Sequence, residues 1–161
     1  YGPLGAPDAT GVCVPAGFSA RLLATTGQRV KGTDHVWHGA PDGGAVFGRA
    51  NGGWIYVSNS ELDGGRGGAG VLAFDARGEV EDAWRILAGT TWNCAGGATP
   101  WGTWLSCEEI DEGLVWECDP YRPGQGTARP ALGRFKHEAA AVDPTTGDVY
   151  LTEDDYDGRF Y

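Results

Sequence analysis

The sequence predicts an all-β fold, a partial β-propeller of about three four-stranded blades from a ring of six or seven. Three observations predict it. Glycine is abundant, at 28 of 161 residues, and seven Trp, six Tyr and five Phe supply the large apolar groups that a disordered chain lacks. No segment carries a stripe of apolar residues at helical spacing. Finally, a strand-like pattern of seven residues recurs along the chain.

The recurring pattern has an aromatic residue second, an aliphatic residue third, a hydroxyl fourth and an acid last. It occurs without gaps in Ile55–Glu61, Thr103–Glu109 and Val149–Asp155, at intervals of 48 and 46 residues. A propeller blade repeats every 40 to 50 residues or so, and equivalent positions of successive blades face one central axis. We therefore expect the terminal acids Glu61, Glu109 and Asp155, with Ser60, Glu108 and Asp154 beside them, to converge at one end of that axis.

The elements follow in order along one incomplete propeller domain, residues 1–161. Residues 1–17, rich in proline and glycine, predict an extended lead-in, and Phe18–Thr25 alternates as a first strand does. Clusters of glycine, asparagine, aspartate and proline then predict hairpin turns between the strands. The predicted strands and turns are Ala45–Phe47, the turn Asn51–Gly53, Trp54–Ser58, Val71–Phe74, Glu79–Leu87, Leu114–Cys118 and the turn Pro144–Gly147. The blades are predicted at residues 18–75, 76–119 and 120–161.

The glycine-rich stretch Gly64–Gly70 has the look of a phosphate-binding loop. It lacks the lysine of a P-loop and no strand–helix pattern surrounds it, so a flexible β-connection is the better interpretation.

Charge and length limit the function. The net charge of −10 argues against binding to a nucleic-acid backbone, whereas clustered carboxylates suit divalent cations. No apolar run reaches 18 residues, so no membrane span is predicted. Six or seven blades at this period need about 250–350 residues, so we expect a partial protein whose signal peptide would precede Tyr1.

A second set of ligand-type residues precedes the repeated strands. His38, Cys94 and the pair His137–Glu138 each lie about ten to eighteen residues upstream, with looser spacing than the first set. Cys94 lies in an Asn-Cys-Ala-Gly-Gly turn that exposes the thiol. The simplest interpretation of the neighbouring pair is that Trp37 packs while His38 faces water or forms hydrogen bonds to backbone carbonyls.

Four cysteines allow either disulfides or metal ligands. Cys107 and Cys118 flank a turn centred near Glu112–Gly113, so a symmetric hairpin would place them opposite one another and permit a bridge. The sequence leaves both alternatives open.

With these motifs assembled, the chain resembles the N-terminal portion of the PhoX-type alkaline phosphatases. The most specific motif is Thr99–Glu109, reading Thr-Pro-Trp-Gly-Thr-Trp-Leu-Ser-Cys-Glu-Glu. The likeness extends over His38–Gly44, Tyr56–Glu61, Asn93–Gly97, Phe135–Glu138 and Leu151–Tyr161. It implies a six-bladed propeller, export to the periplasm or the medium, often by the twin-arginine route, and hydrolysis of small phosphate monoesters at calcium and iron ions on the channel axis.

The resemblance also implies the ligands. A cysteine binds iron in that family, and Cys94 is the best match, with Cys107 in reserve. The candidate carboxylates are Glu108, Glu109, Glu138, Glu153, Asp154 and Glu61. Calcium takes six to eight oxygen ligands while a thiolate selects a softer metal, so a mixed Ca²⁺ and Fe³⁺ site needs both kinds. Glu108 and Glu109 are adjacent, and in a strand they point to opposite faces.

Two other functions remain open at this point. A calcium-dependent, lactonase-like propeller would also place acids on the axis, and a non-catalytic propeller could use calcium for stability alone. Neither requires a thiolate ligand. Iron together with calcium would favour the phosphatase.

Overall fold

The computed structural model describes all 161 residues and is built from ten β-strands in three antiparallel sheets. The predicted all-β class is confirmed. One short 3-10 turn, Pro130–Leu132, is the only helical element, so the chain has no helix with the length and apolar character needed to cross a bilayer.

The first sheet is a four-stranded meander in which each strand pairs with the next along the chain. Its turns follow the predicted side-chain chemistry. Asn51 Oδ1 accepts a hydrogen bond from Gly53 N at 3.1 Å, and Asp75 Oδ1 accepts one from Glu79 N at 2.9 Å. The strands are β1 Pro41–Gly48, β2 Trp54–Ser60, β3 Gly67–Phe74 and β4 Val80–Thr90.

The second sheet repeats this meander, and the third contains one hairpin of the same kind. Asp143 Oδ1 closes that hairpin by accepting from Thr145 N at 2.6 Å. The second sheet is β5 Asn93–Ala98, β6 Trp104–Glu108, β7 Val115–Cys118 and β8 Thr127–Ala128, and the third is β9 His137–Val142 with β10 Val149–Glu153.

The three sheets stack through apolar layers on both sides of β6. Trp104 packs with residues of the first sheet such as Val57 and Ile86, whereas Leu105 packs with Ala140 and Leu151 of the third. This alternation follows from the two-residue period of a strand. The first strands β1, β5 and β9 lie side by side, as the innermost strands of neighbouring propeller blades do.

Several predicted boundaries differ from the structure. The segment Phe18–Thr25 forms no strand, because no neighbouring strand pairs with it and its residues lie across the outer face of the first sheet. The lead-in doubles back on itself, with Gly5 N donating to Val14 O at 3.0 Å. The predicted division at residue 75 falls between β3 and β4 of one sheet. Gly67–Gly70 opens the buried strand β3 instead of forming a loop.

The predicted opposition of two cysteines is also wrong. Cys107 pairs with Val115 and Cys118 pairs with Trp104, because the connection between the two strands is shorter than a symmetric hairpin about Gly113 would require. All four cysteines are free thiols in the structure.

Candidate metal centre

The first strand of every sheet contains a β-bulge near its start. In each case two residues lie opposite one residue of the second strand, and the first bulge residue carries a ligand-type side chain. A bulge of this kind re-aims a side chain, and bulges are frequent beside functional sites. The three bulges are Asp42–Gly43 opposite Asn59, Cys94–Ala95 opposite Cys107, and Glu138–Ala139 opposite Thr152.

A carboxylate stands one residue beyond the end of each second strand. Its own N–H donates to a carbonyl that precedes the first strand, which fixes where the acid lies. Two of these carbonyls belong to residues with positive φ, Ala40 at 42° and Trp92 at 51°, a conformation uncommon for residues other than glycine. The three bonds are Glu61 N to Ala40 O at 2.9 Å, Glu109 N to Trp92 O at 2.9 Å and Asp154 N to Lys136 O at 3.0 Å.

These two sets of residues meet where the three sheets adjoin. Cys94 is at the centre, with its Sγ 3.6 Å from Asp42 Oδ1 and 3.5 Å from Glu138 Oε1. Two triads share it, and within each triad the ligand atoms lie within 4.8 Å of one another. The triads are Asp42, Glu61 and Cys94, and Cys94, Glu109 and Glu138. Asp154 lies close enough to Glu109 to raise the pKa of that carboxyl, and it completes what we call the six-residue cluster.

Negative charge is concentrated in this cluster. Burial, followed by the hydrogen bond and charge of Glu138 and the charges of Asp42 and Glu61, raises the pKa of the Cys94 thiol well above its usual range. Burial, followed by the hydrogen bond and charge of Asp154 and the charge of Glu138, raises the pKa of Glu109 to about 7. Each shift means that a further anion is unfavourable here when no cation is present.

The donor set fits metal cations. Five carboxylates and one thiol converge, and none of the six residues forms an ion pair with a lysine or arginine. Carboxylate oxygens are the ligands of calcium, whereas a thiolate suits a transition metal such as iron. The arrangement can therefore hold hard and soft cations next to each other.

The structure brings five of the predicted ligands together, namely Cys94, Glu61, Glu109, Glu138 and Asp154. Cys107, the reserve thiol, is fully buried among apolar residues of the second and third sheets. The pairing register shifts the third repeat by one residue relative to the gapless alignment, since Thr152 lies opposite the bulge as Asn59 and Cys107 do. Asp154, and not Asp155, is therefore the equivalent of Glu61 and Glu109.

Glu108 and Glu153 lie outside the cluster. Each is the last residue of its strand, and strand alternation turns it to the opposite face from the acid that follows. Glu108 instead accepts hydrogen bonds from Thr91 N at 2.9 Å and Trp116 Nε1 at 2.8 Å. Glu153 accepts one from the Tyr161 hydroxyl at 3.1 Å.

The sequence analysis missed two residues of this region, Asp42 and Gly43, and included His38 in the second set of ligand-type residues in place of Asp42. His38 is buried away from the cluster, with Nε2 3.2 Å from Ser58 Oγ. Gly43 allows β1 to approach β5, since a Cβ there would lie 2.7 Å from the Ala95 Cα. Asp42, Cys94 and Glu138 share one position, the second residue of the first strand of their sheet. A sequence signal for Asp42 would have been its place at the start of such a strand.

Comparison with known proteins identifies a family. The model of the family described as alkaline phosphatase PhoX matches residues 57–114 and 110–161. No curated protein and no solved structure matches the chain. The matched ranges cover well over half of the chain and include five of the six cluster residues, all except Asp42. The chain therefore belongs to the alkaline phosphatase PhoX family.

Proposed function

We propose that this chain provides the metal-binding part of a metal-dependent phosphatase that hydrolyses small phosphate monoesters outside the cytoplasm, using calcium and iron ions. The observation that carries the proposal is the convergence of one thiol and five carboxylates from three separate hairpins. Membership of the PhoX family supports the same activity.

The charge of the cluster explains why cations are needed. A phosphate ester is an anion, and five carboxylates at one point would repel it. Bound cations would supply Lewis-acid stabilisation of the phosphoryl oxygens and a nucleophilic water. The residues of the chain hold the ligand atoms at fixed places, because each is positioned by a bulge or by a strand end with its own backbone hydrogen bond.

Within the cluster, the shared residue Cys94 would bind iron. Glu109 and Glu138 form one triad with it and would complete the ligands on that side. Asp42 and Glu61 form the other triad, whose carboxylate oxygens suit calcium. Asp154 adds a further carboxylate beside Glu109.

We further propose that the three sheets are blades of a six-bladed ring. The side-by-side placement of β1, β5 and β9 supports this arrangement, with the cluster at one end of the central axis. A closed ring would add residues from further blades to the site.

The test uses the protein purified with its metals. We expect both calcium and iron in elemental analysis, hydrolysis of p-nitrophenyl phosphate, and loss of that hydrolysis in Cys94→Ser and in Glu138→Gln. Glu153→Gln is the matched control, since Glu153 has the same charge and lies outside the cluster; it should keep the activity. Full activity in both cluster variants would remove these residues from the site. Calcium without iron would favour the lactonase-like or purely structural alternatives.

A further inference from the structure

A second concave site lies at the other end of β6 from the cluster. It is a cavity of about 270 Å³ between β4 and the loop that joins β7 to β8. Ile86, Cys118 and Pro123 are the apolar side chains that line it, and the other lining residues are polar apart from Gly124. Drug-sized ligands occupy pockets of about 300–1,000 Å³, so this cavity suits a single small ring.

The charges in this pocket are balanced in pairs. Arg129 Nε lies 2.6 Å from Glu117 Oε2, and Arg122 Nε lies 2.8 Å from Asp119 Oδ2. Each arginine is therefore held through Nε, and its terminal nitrogens have no hydrogen-bond partner within the protein. The two carboxylates would repel an anion, and the two guanidinium groups would repel a cation. The balance favours a neutral ligand that is rich in both donors and acceptors.

An exposed tryptophan stands beside the pocket. The Trp101 side chain is held by a hydrogen bond from Nε1 to Glu117 Oε1 at 2.7 Å, yet the residue is 57% exposed. Because the bond uses the edge of the indole, the flat face of the ring stays free for an apolar surface. The same Glu117 that lines the pocket thus fixes an aromatic platform next to it.

We propose that this pocket binds a neutral saccharide unit, with Trp101 stacking on one face of the sugar ring. A sugar hydroxyl both donates and accepts hydrogen bonds, which matches guanidinium donors, carboxylate acceptors and the free hydroxyl of Thr127. The carbon-bound hydrogens of the ring supply the apolar face for the indole. Arg122, Arg129 and Thr127 bind the hydroxyls.

The test is titration of the full chain with glucose, galactose, N-acetylglucosamine and their trisaccharides, followed by amide chemical shifts in NMR spectra. We expect saturable shifts at Glu117 and Thr127 with at least one sugar. Trp101→Ala should weaken that binding about tenfold, as truncation of an aromatic anchor does. Tyr156→Ala, which removes a fully exposed aromatic residue in the turn after β10, should bind as the parent does.

Sugar binding by Arg122→Gln and a titration with inorganic phosphate are two further tests. Arg122→Gln changes a side chain that is 79% exposed and leaves the fold intact, so it tests the polar half of the pocket even where Trp101→Ala does not fold. We expect it to weaken sugar binding several-fold. Absence of shifts with every sugar, unchanged affinity in Arg122→Gln and Trp101→Ala, or shifts in this pocket with inorganic phosphate alone would each overturn the proposal.

Discussion

Asn59 joins the first sheet to the bulge that positions Cys94. Its fully buried side chain makes four hydrogen bonds across the interface. Nδ2 donates to Cys94 O at 3.0 Å and to Ala95 O at 2.7 Å, and Oδ1 accepts from Trp104 Nε1 at 2.9 Å and Ser106 Oγ at 2.8 Å. The two carbonyls belong to the bulge itself, where the ladder between β5 and β6 is interrupted. Asn59 supplies the hydrogen-bond donors that the interrupted ladder does not offer to these carbonyls.

The expected cost of Asn59→Ala follows from the groups it leaves behind. A buried polar group without a partner costs about 1–3 kcal/mol. Ser106 keeps a bond from Asn93 Nδ2 at 2.9 Å, so the indole N–H and the two carbonyls carry most of the loss. Because such effects are not additive and a water can enter the space, we expect about 3–5 kcal/mol of lost stability. This is a large part of the roughly 5–15 kcal/mol that holds a domain folded.

Urea unfolding followed by circular dichroism measures this loss, and hydrogen exchange reports on the amides of Cys94 and Ala95. Asn51→Ala is the matched control: it removes one hydrogen bond, from Gly53 N at 3.1 Å, in a surface turn. We expect a change of about 1 kcal/mol or less in the control. If Asn59→Ala were no less stable than Asn51→Ala, with unchanged exchange at the bulge, the assignment of Asn59 as the link between the sheets would be refuted.

Three other expectations test the same structure. Gly43→Ala should cost about 2 kcal/mol in urea unfolding because its Cβ would press into the β5 backbone, whereas Gly48→Ala, with nothing within 4 Å, should cost less than about 0.5 kcal/mol. Burial, followed by the charge of Arg85, lowers the pKa of His38 to about 4, while an unfolded histidine titrates near 6.5. The unfolded chain therefore takes up a proton that the folded chain does not, and stability should fall by about 3 kcal/mol as the pH drops from about 6.5 to about 4. The fall should be smaller in His38→Gln, and equal slopes in urea titrations across this range would contradict the burial of a neutral imidazole. In a pulse of iodoacetamide read by peptide mass spectrometry, exposed Cys13 should be alkylated well before Cys94, whose pKa is raised; faster labelling of Cys94 would argue against the acidic surroundings described above.

The sequence predicted those features that local chemistry determines. The turns at Asn51 and Asp143 formed as expected because their side chains accept from nearby backbone N–H groups. The repeated strand pattern located Glu61 and Glu109, because each lies one residue beyond the end of a second strand. The bulges could not be predicted, since they depend on which strands pair, and they decide that Asp42 joins the cluster. The predicted strand at Phe18–Thr25 was wrong because an alternating segment forms a strand only where a partner strand is present.

The geometry of the hairpins explains why the cluster needs all three sheets. In each hairpin the bulge residue and the acid beyond the second strand flank the same pair of opposed residues, so they lie diagonally on one face and supply only two ligands. Six ligands converge only because Gly43 and Gly97 let β1, β5 and β9 pack closely. Binding of a cation and packing of the sheets are therefore linked: an ion that binds only the packed state at a hundred times its Kd would add about 2.7 kcal/mol to the free energy of unfolding. By the same linkage, any change that separates β1 from β5 should weaken the binding of the ion, even where no ligand residue is altered.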